Sequence, residues 1–286
     1  MAQADLHQFI KVSKQLREDI IRSLASAGSG HLGASLGLAD IFTVLYWHVL
    51  HHRPLQPSWS DRDRLILSIG HAAPVLYAAL ANAGYFPREE LLTLRKLGSR
   101  LQGHPGRDHG LPGLELSAGS LGQGLSVAVG LALAAKIDRA PWRVFSIHGD
   151  GELQEGSVWE AAMSAAHHKL GNLIALVDRN DCQIDGRTSE VMGLEPLRAK
   201  WESFGWRVLE CNGNDLHELI ETFEVAGHGD GKPTVVIART LMGYGVKSIQ
   251  DDYRWHGKAP SPTEAEKFLD ELQAHYLFQH NGTVQE

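Results

Sequence analysis

Hydrophobic positions along this chain recur with two different periods, and the two alternate. Leu6, Phe9, Ile10, Leu16, Ile20 and Leu24 keep the spacing of one helix face, and Gly28 ends the run. A second helical pattern covers residues 36–50. Residues 64–69 form a short continuous apolar run, the mark of a buried strand. Helices are predicted near residues 74–83 and 88–97. A glycine-rich stretch at 103–124 leads into another at 125–137. Strand 143–147, helix 154–169 and strand 172–177 follow. Further units are helix 197–204, strand 207–210, helix 215–226, strand 234–238 and a last helix over 263–274. Strands separated by helices predict an α/β fold, a mostly parallel sheet with helices on both faces. Ligands of such sheets bind at the edge where the loops leave the strands. The segments after Ile69, Ile147, Val177 and Ala238 are therefore the places to look.

Composition narrows the class. With 286 residues, 43% of them hydrophobic, the chain can bury the core of one large α/β domain, taken as residues 1–286. Its 34 acidic and 27 basic residues give a net charge of -7, spread without blocks. That argues against nucleic acid or an anionic membrane as partner. No apolar run approaches the roughly 20 residues that span a bilayer. The stretch from Met1 to Lys14 lacks a signal-peptide core. Cys182 and Cys211 fit no metal spacing and are too few for a disulfide framework, so a reducing cytoplasm is the expected location.

The candidate chemistry sits at two strand ends. The strand Val144-Phe145-Ser146-Ile147 runs into His148-Gly149-Asp150-Gly151-Glu152, and the next strand into Asp178-Arg179-Asn180-Asp181. Asp150 and Asn180 are far apart in sequence but belong to consecutive strands, so they should lie close in space. A carboxylate with an amide oxygen is hard-oxygen ligation, suited to magnesium, with calcium or manganese as other candidates, and unsuited to zinc. Gly149 and Gly151 let backbone approach a bulky anion. A helix starting just past Gly151 would favour a diphosphate at its N-terminus. His148 stands next to Gly149, where it would touch that diphosphate.

Gly149-Asp150-Gly151 followed by Asn180-Asp181 resembles the thiamine diphosphate signature. Further blocks narrow the resemblance to transketolases. They are Ser29-Gly30-His31-Leu32-Gly33, Ser68-Ile69-Gly70-His71-Ala72, Gln102-Gly103-His104-Pro105-Gly106, Gly119-Ser120-Leu121-Gly122-Gln123-Gly124, Leu153-Gln154-Glu155-Gly156 and His256-Gly257-Lys258-Ala259-Pro260. In order and spacing they cover nearly the whole chain. Leu32, Ile69 and Ser120 depart from the common pattern, where proline, asparagine and proline are usual, and these departures bear on substrate range.

The resemblance implies a thiamine-diphosphate-binding fold in its diphosphate-binding version. Asp150, Asn180 and the backbone carbonyl of Cys182 would hold the metal. Gly119, Ser120, Leu121, Gly149, Gly151, Glu155, His71 and His256 would contact the cofactor, and Asp185-Gly186 would form a turn supporting the metal loop. Transketolases move a two-carbon ketol unit from a ketose to an aldose, so hydroxyl protons must leave and return. Histidine suits that task near neutrality. His31 and His256 would handle protons, His104 would bind the donor's terminal hydroxyl, and His71 would lie beside the diphosphate.

No second α/β pattern follows Pro260. By resemblance, the pyrimidine-binding and C-terminal domains would then come from a separate transketolase subunit in a two-plus-two assembly. Sugar phosphates would be substrates. Apolar positions on helix 125–135 and near Trp159 are candidate interface. Three alternatives stay open: a transketolase specialised for an unusual sugar or acyl acceptor, the alpha subunit of a 2-oxoacid dehydrogenase, and a non-catalytic binding or regulatory subunit.

Overall fold

A computed structural model describes residues 3–227 and 231–282. Among the described residues there are seven strands, β1 (Arg64–Leu67), β2 (Val144–Gly149), β3 (Leu173–Arg179), β4 (Cys182–Gln183), β5 (Gly186–Arg187), β6 (Arg207–Asn212) and β7 (Thr234–Arg239). Five of them form one sheet in the order β1-β2-β3-β7-β6, with every neighbouring pair parallel. The helices are α1 (Gln3–Ala27), α2 (Gly33–Gly37), α3 (Ala39–Val44), α4 (Ala73–Asn82), α5 (Gly124–Asp138), α6 (Gly156–His167), α7 (Thr188–Val191), α8 (Leu197–Ser203), α9 (Leu216–Ala226) and α10 (Pro262–Gly282).

The period-2 alternation of strand side chains builds two cores. Leu65, Leu67, Phe145, Ile147, Ile174, Leu176 and Val236 face the layer containing α1, α3, α4, α9 and α10. Ile66, Val144, Leu173, Ala175, Val177, Val235 and Ile237 face the layer containing α5, α6 and α8. The strands are apolar on both faces because both faces are covered. In the first layer, Arg17 of α1 is fully buried and pairs with Asp40 of α3, its Nη2 2.7 Å from Oδ2. Its Nε also donates to the carbonyls of Leu36 and Tyr244, and Nη1 to the Tyr276 hydroxyl of α10. One guanidinium thus joins four segments.

Three predicted elements differ in the structure. The helix expected over 36–50 breaks between α2 and α3 and ends in a π turn, Leu45–Val49. At the break a Cβ on Gly37 would lie 2.9 Å from the Leu241 carbonyl, so a crossing chain occupies the place of a straight helix. The helix expected over 88–97 is a 3-10 segment, Arg88–Thr93. Leu91 and Leu94 are buried there but Leu92 and Leu97 are exposed, so no continuous apolar stripe holds a longer helix. The helix expected from 154 begins at Gly156, after a 3-10 turn over Gly151–Gln154. The turn expected at Asp185-Gly186 is the tip of the β4–β5 hairpin, whose two short strands, like α7, the sequence patterns did not single out. Among the described residues, no helix is long and apolar enough to cross a membrane.

Candidate active site

Parallel register aligns the strand ends that carry the chemistry. Gly149 pairs with Asp178, and Asp178 with Ala238. The turn after β2 therefore lies against the loop after β3. The Asp181 amide donates to Asp150 Oδ2 at 2.7 Å, and the Gly151 amide to Oδ1 at 2.7 Å. Arg179 Nη1 also reaches Oδ2, at 2.9 Å, and Thr188 Oγ1 reaches Oδ1 at 3.3 Å. Burial pushes the Asp150 pKa up, against the opposing pull of Arg179 and the two amides.

Asn180 is held by its own loop. Its Nδ2 donates to Asp178 Oδ2 at 2.8 Å, and its Oδ1 accepts from the Cys182 amide at 2.9 Å. Asp178 is fully buried and accepts from the Thr240 hydroxyl of the β7 loop as well. Burial, helped by the nearby charge of Asp150, raises its pKa to about 7 despite those two donors.

The histidines come from four separate loops. The Leu32 amide donates to the Lys258 carbonyl at 3.3 Å, and the Gly243 amide to the Gly33 carbonyl at 2.9 Å. Those bonds bring the His31 and His256 loops together. The Ala118 amide donates to the Pro105 carbonyl at 3.0 Å, which docks the His104 loop on the glycine loop. His71 stands in the 3-10 turn after β1. His31 is 5.1 Å from His71, 5.8 Å from His256 and 6.4 Å from His104 between ring centroids, and His71 is 5.0 Å from His256. The buried Nδ1 atoms of His31 and His256 have no hydrogen-bond partner. Burial, then neighbouring imidazoles, holds the pKa of His31 down to about 4 and that of His71 to about 3. Burial and Arg95 lower His104. Burial lowers His256 too, partly offset by a hydrogen bond with the backbone of Cys182. The four are neutral imidazoles at pH 7, where titration near neutrality was expected.

The four histidines, Asp150, Asp178 and Asn180 line one cleft of about 310 Å³. His31, His71, His104, His256, Gly119, Leu121, Gly149, Asp150, Gly151, Glu155, Asn180 and Cys182 contribute to its wall, and Ser120, which is exposed, does not. His148 does not face the cleft. Its ring is fully buried, with Nδ1 3.0 Å from Glu152 Oε2 and Nε2 2.9 Å from Ser146 Oγ. The helix N-terminus expected just past Gly151 is likewise not there, because the 3-10 turn moves the start of α6 to Gly156. Glu155 consequently stands exposed at the N-cap of α6, and the neighbouring Glu152 is the buried glutamate. Glu152, Asp178 and Arg179, with Gln154 and Gln183, are polar residues of the site to which the sequence patterns assigned no role.

Space at the loop contacts is tight. A Cβ on Gly124 would lie 2.4 Å from Ser68, and one on Gly70 2.9 Å from the backbone between Ala118 and Gly119. Glycine at both positions lets the end of β1 touch the glycine-rich loop.

Residues 7–279 match the family described as "Transketolase, thiamine diphosphate binding domain". The chain belongs to the transketolase family. It is 40% identical over 260 residues to a protein of Phocaeicola vulgatus named as a subunit of apulose-4-phosphate transketolase, covering 91% of this chain and 92% of that protein. It is 42% identical over 243 residues to the 6-deoxy-6-sulfo-D-fructose transketolase subunit SqwG of a Clostridium species, covering 85% and 87%. The solved transketolase of Campylobacter jejuni superposes with a TM-score of 0.86 at 33% identity, over 97% of this chain and 46% of that one. This transketolase chain therefore corresponds to the N-terminal, thiamine diphosphate-binding part of the family, and it spans under half the length of that solved enzyme. The two relatives named as transketolase subunits, by contrast, are matched over most of their length.

Proposed function

We propose that this chain is the diphosphate- and metal-binding subunit of a two-component transketolase, completed by a separate C-terminal-type subunit in a two-plus-two assembly in the cytoplasm. The observation that carries this reading is the convergence of Asp150, Asn180, Cys182 and four histidines on one cleft. The donor set fits magnesium, since a carboxylate, an amide oxygen and a backbone carbonyl are all hard oxygens. Gly149 and Gly151 on the cleft wall fit a diphosphate, which needs close backbone approach. Thiamine diphosphate, when bound, supplies the carbanion chemistry of two-carbon transfer.

The chain's own residues then hold and move protons. His31 and His256 line the cleft as imidazoles able to take a proton from a substrate hydroxyl and return it. His104, more exposed, offers a hydrogen bond to the donor's terminal hydroxyl. His71 sits deepest, where a bound anion would raise its low pKa. Exposed Ile137 and Met163, at 71% and 60%, lie on α5 and α6, which pack against each other and offer a face suited to the partner.

The relatives named for apulose-4-phosphate and for 6-deoxy-6-sulfo-D-fructose both act on sugars carrying an anionic group. A ketose of that kind is the donor class we assign to this chain. The test is reconstitution with the partner chain and a panel of phosphorylated and sulfonated ketoses. Two-carbon transfer should need both chains and should be lost with Asp150→Ala. Full transfer by this chain alone would overturn the two-component reading. Tight cofactor binding without turnover on any donor would favour a non-catalytic subunit.

A further inference from the structure

Glu152 is 2% exposed and sits in the turn that also carries Asp150. Its carboxylate accepts from four donors on three segments. Oε1 takes Ser68 Oγ of the β1 loop at 2.5 Å and the Gly122 amide at 2.8 Å. Oε2 takes the Gly149 amide at 3.3 Å and His148 Nδ1 at 3.0 Å. A carboxylate only accepts, so the proton of His148 is on Nδ1. Ser68 Oγ accepts in turn from the Gly124 amide at 3.0 Å. Burial raises the Glu152 pKa, but His148, Ser68 and Gly122 outweigh it and keep the group below the ordinary glutamate value.

The cleft wall has two sides that a long ligand must touch together. One is the turn at 149–151, with its amides and Asp150. The other is the strip at 119–121, with Leu121 and the backbone beside His104. Glu152 bonds to both sides, and Ser157 Oγ of α6 adds a bond to the Gly122 carbonyl at 3.0 Å. We propose that Glu152 is a positioning residue that fixes the 119–124 loop against the 149–151 turn, setting the spacing at which both ends of thiamine diphosphate are gripped. The inference rests on the cofactor reading above for its ligand, and on the geometry alone for the coupling of the loops. A neutral amide at this position cannot accept at its nitrogen, so two of the four donors would lose their acceptor.

The test compares Glu152→Gln with the unaltered full chain. Amide hydrogen exchange without ligand should rise about tenfold across residues 119–124 and stay unchanged in β3 and over residues 144–148 of β2. With magnesium present, affinity for thiamine diphosphate should fall about tenfold while that for inorganic pyrophosphate changes by less than about twofold. A purely structural role would lower both affinities alike. If Glu152→Gln does not fold, Ser68→Ala removes one of the donors and should loosen the same segment to a smaller degree. Unchanged protection at 119–124, loosening of the whole sheet, or equal loss of both ligands overturns the proposal. If the unaltered chain binds neither ligand, the cofactor reading fails separately and hydrogen exchange alone decides on Glu152.

Discussion

The guanidinium of Arg179 lies 2.9 Å from the Asp150 carboxylate, Nη1 to Oδ2, and continues to Asp181 at 3.2 Å and Glu195 at 3.3 Å. A fixed positive charge therefore touches the carboxylate assigned to the divalent cation, with two acidic side chains ready to receive it.

Arg179→Gln should tighten magnesium binding. The substitution removes a like charge beside the metal, a repulsion that counts for more in a half-buried site than in water. In magnesium titrations with thiamine diphosphate present, the half-saturating concentration should fall by roughly three- to tenfold at low salt. The gain should shrink as ionic strength rises. Weaker binding in the variant would mean that Arg179 chiefly orders the loop.

Two glycines should respond to alanine in opposite directions. A Cβ on Gly124 meets Ser68 at 2.4 Å, so Gly124→Ala must push the glycine loop off β1 and should cost about 2–3 kcal/mol. Gly130, in the middle of α5, has nothing within 4 Å of a Cβ. Gly130→Ala should stabilise the isolated chain by about 0.5–1 kcal/mol. Urea unfolding of both variants checks the pair, and a stabilised Gly124→Ala would contradict the loop packing.

The alternation of periods made the layered parallel sheet legible, and a Gly-Asp-Gly at one strand end with Asn180 at the next pointed to the site edge. Which glutamate turns inward was not legible. That depends on whether residues after Gly151 wind as a 3-10 turn or an α-helix, and the two place Glu152 and Glu155 on different sides. Asp178 reads as the polar end of a strand. Its burial follows from the approach of Thr240 across the sheet, a contact over 62 positions that no local pattern encodes. His148 was misplaced for a similar reason, since strand alternation aims it at Glu152 and away from the cleft.

Breaking the buried ion pair beneath α1 should be severe. Arg17→Met leaves Asp40 buried without its cation, at a cost of about 3–5 kcal/mol. That is a large share of the 5–15 kcal/mol typical of a folded domain. Arg17→Met combined with Asp40→Leu should lose less than Arg17→Met alone, because no uncompensated charge remains. Denaturant midpoints of the two variants decide this. A double variant less stable than Arg17→Met would show that the hydrogen bonds Asp40 accepts from Ser13 and Asn214 matter more than its unpaired charge.

Acid should destabilise the ligand-free chain before general acid unfolding begins. His31 and His71 titrate at about 4 and about 3 when folded, against an ordinary histidine value of about 6.5 in the unfolded chain. Between about pH 6.5 and 4 the unfolded state therefore binds more protons, so stability falls as pH falls through that window. His104 and His256, also lowered, add to the same slope. Asp178 opposes it, because at about 7 it holds a proton in the folded state that an unfolded aspartate releases above about 4. Asp150, also raised by burial, opposes it as well, and the four lowered imidazoles against these two carboxylates leave a net loss on acidification. Urea midpoints measured at pH 7 and pH 5 should differ in that direction, and His71→Gln should flatten the slope. A bound diphosphate would raise the His71 pKa and flatten it as well, so the pH dependence should weaken when thiamine diphosphate and magnesium are added. A chain as stable at pH 5 as at pH 7 would mean that these imidazoles protonate in place at little cost, and that burial does not hold their pKa values down.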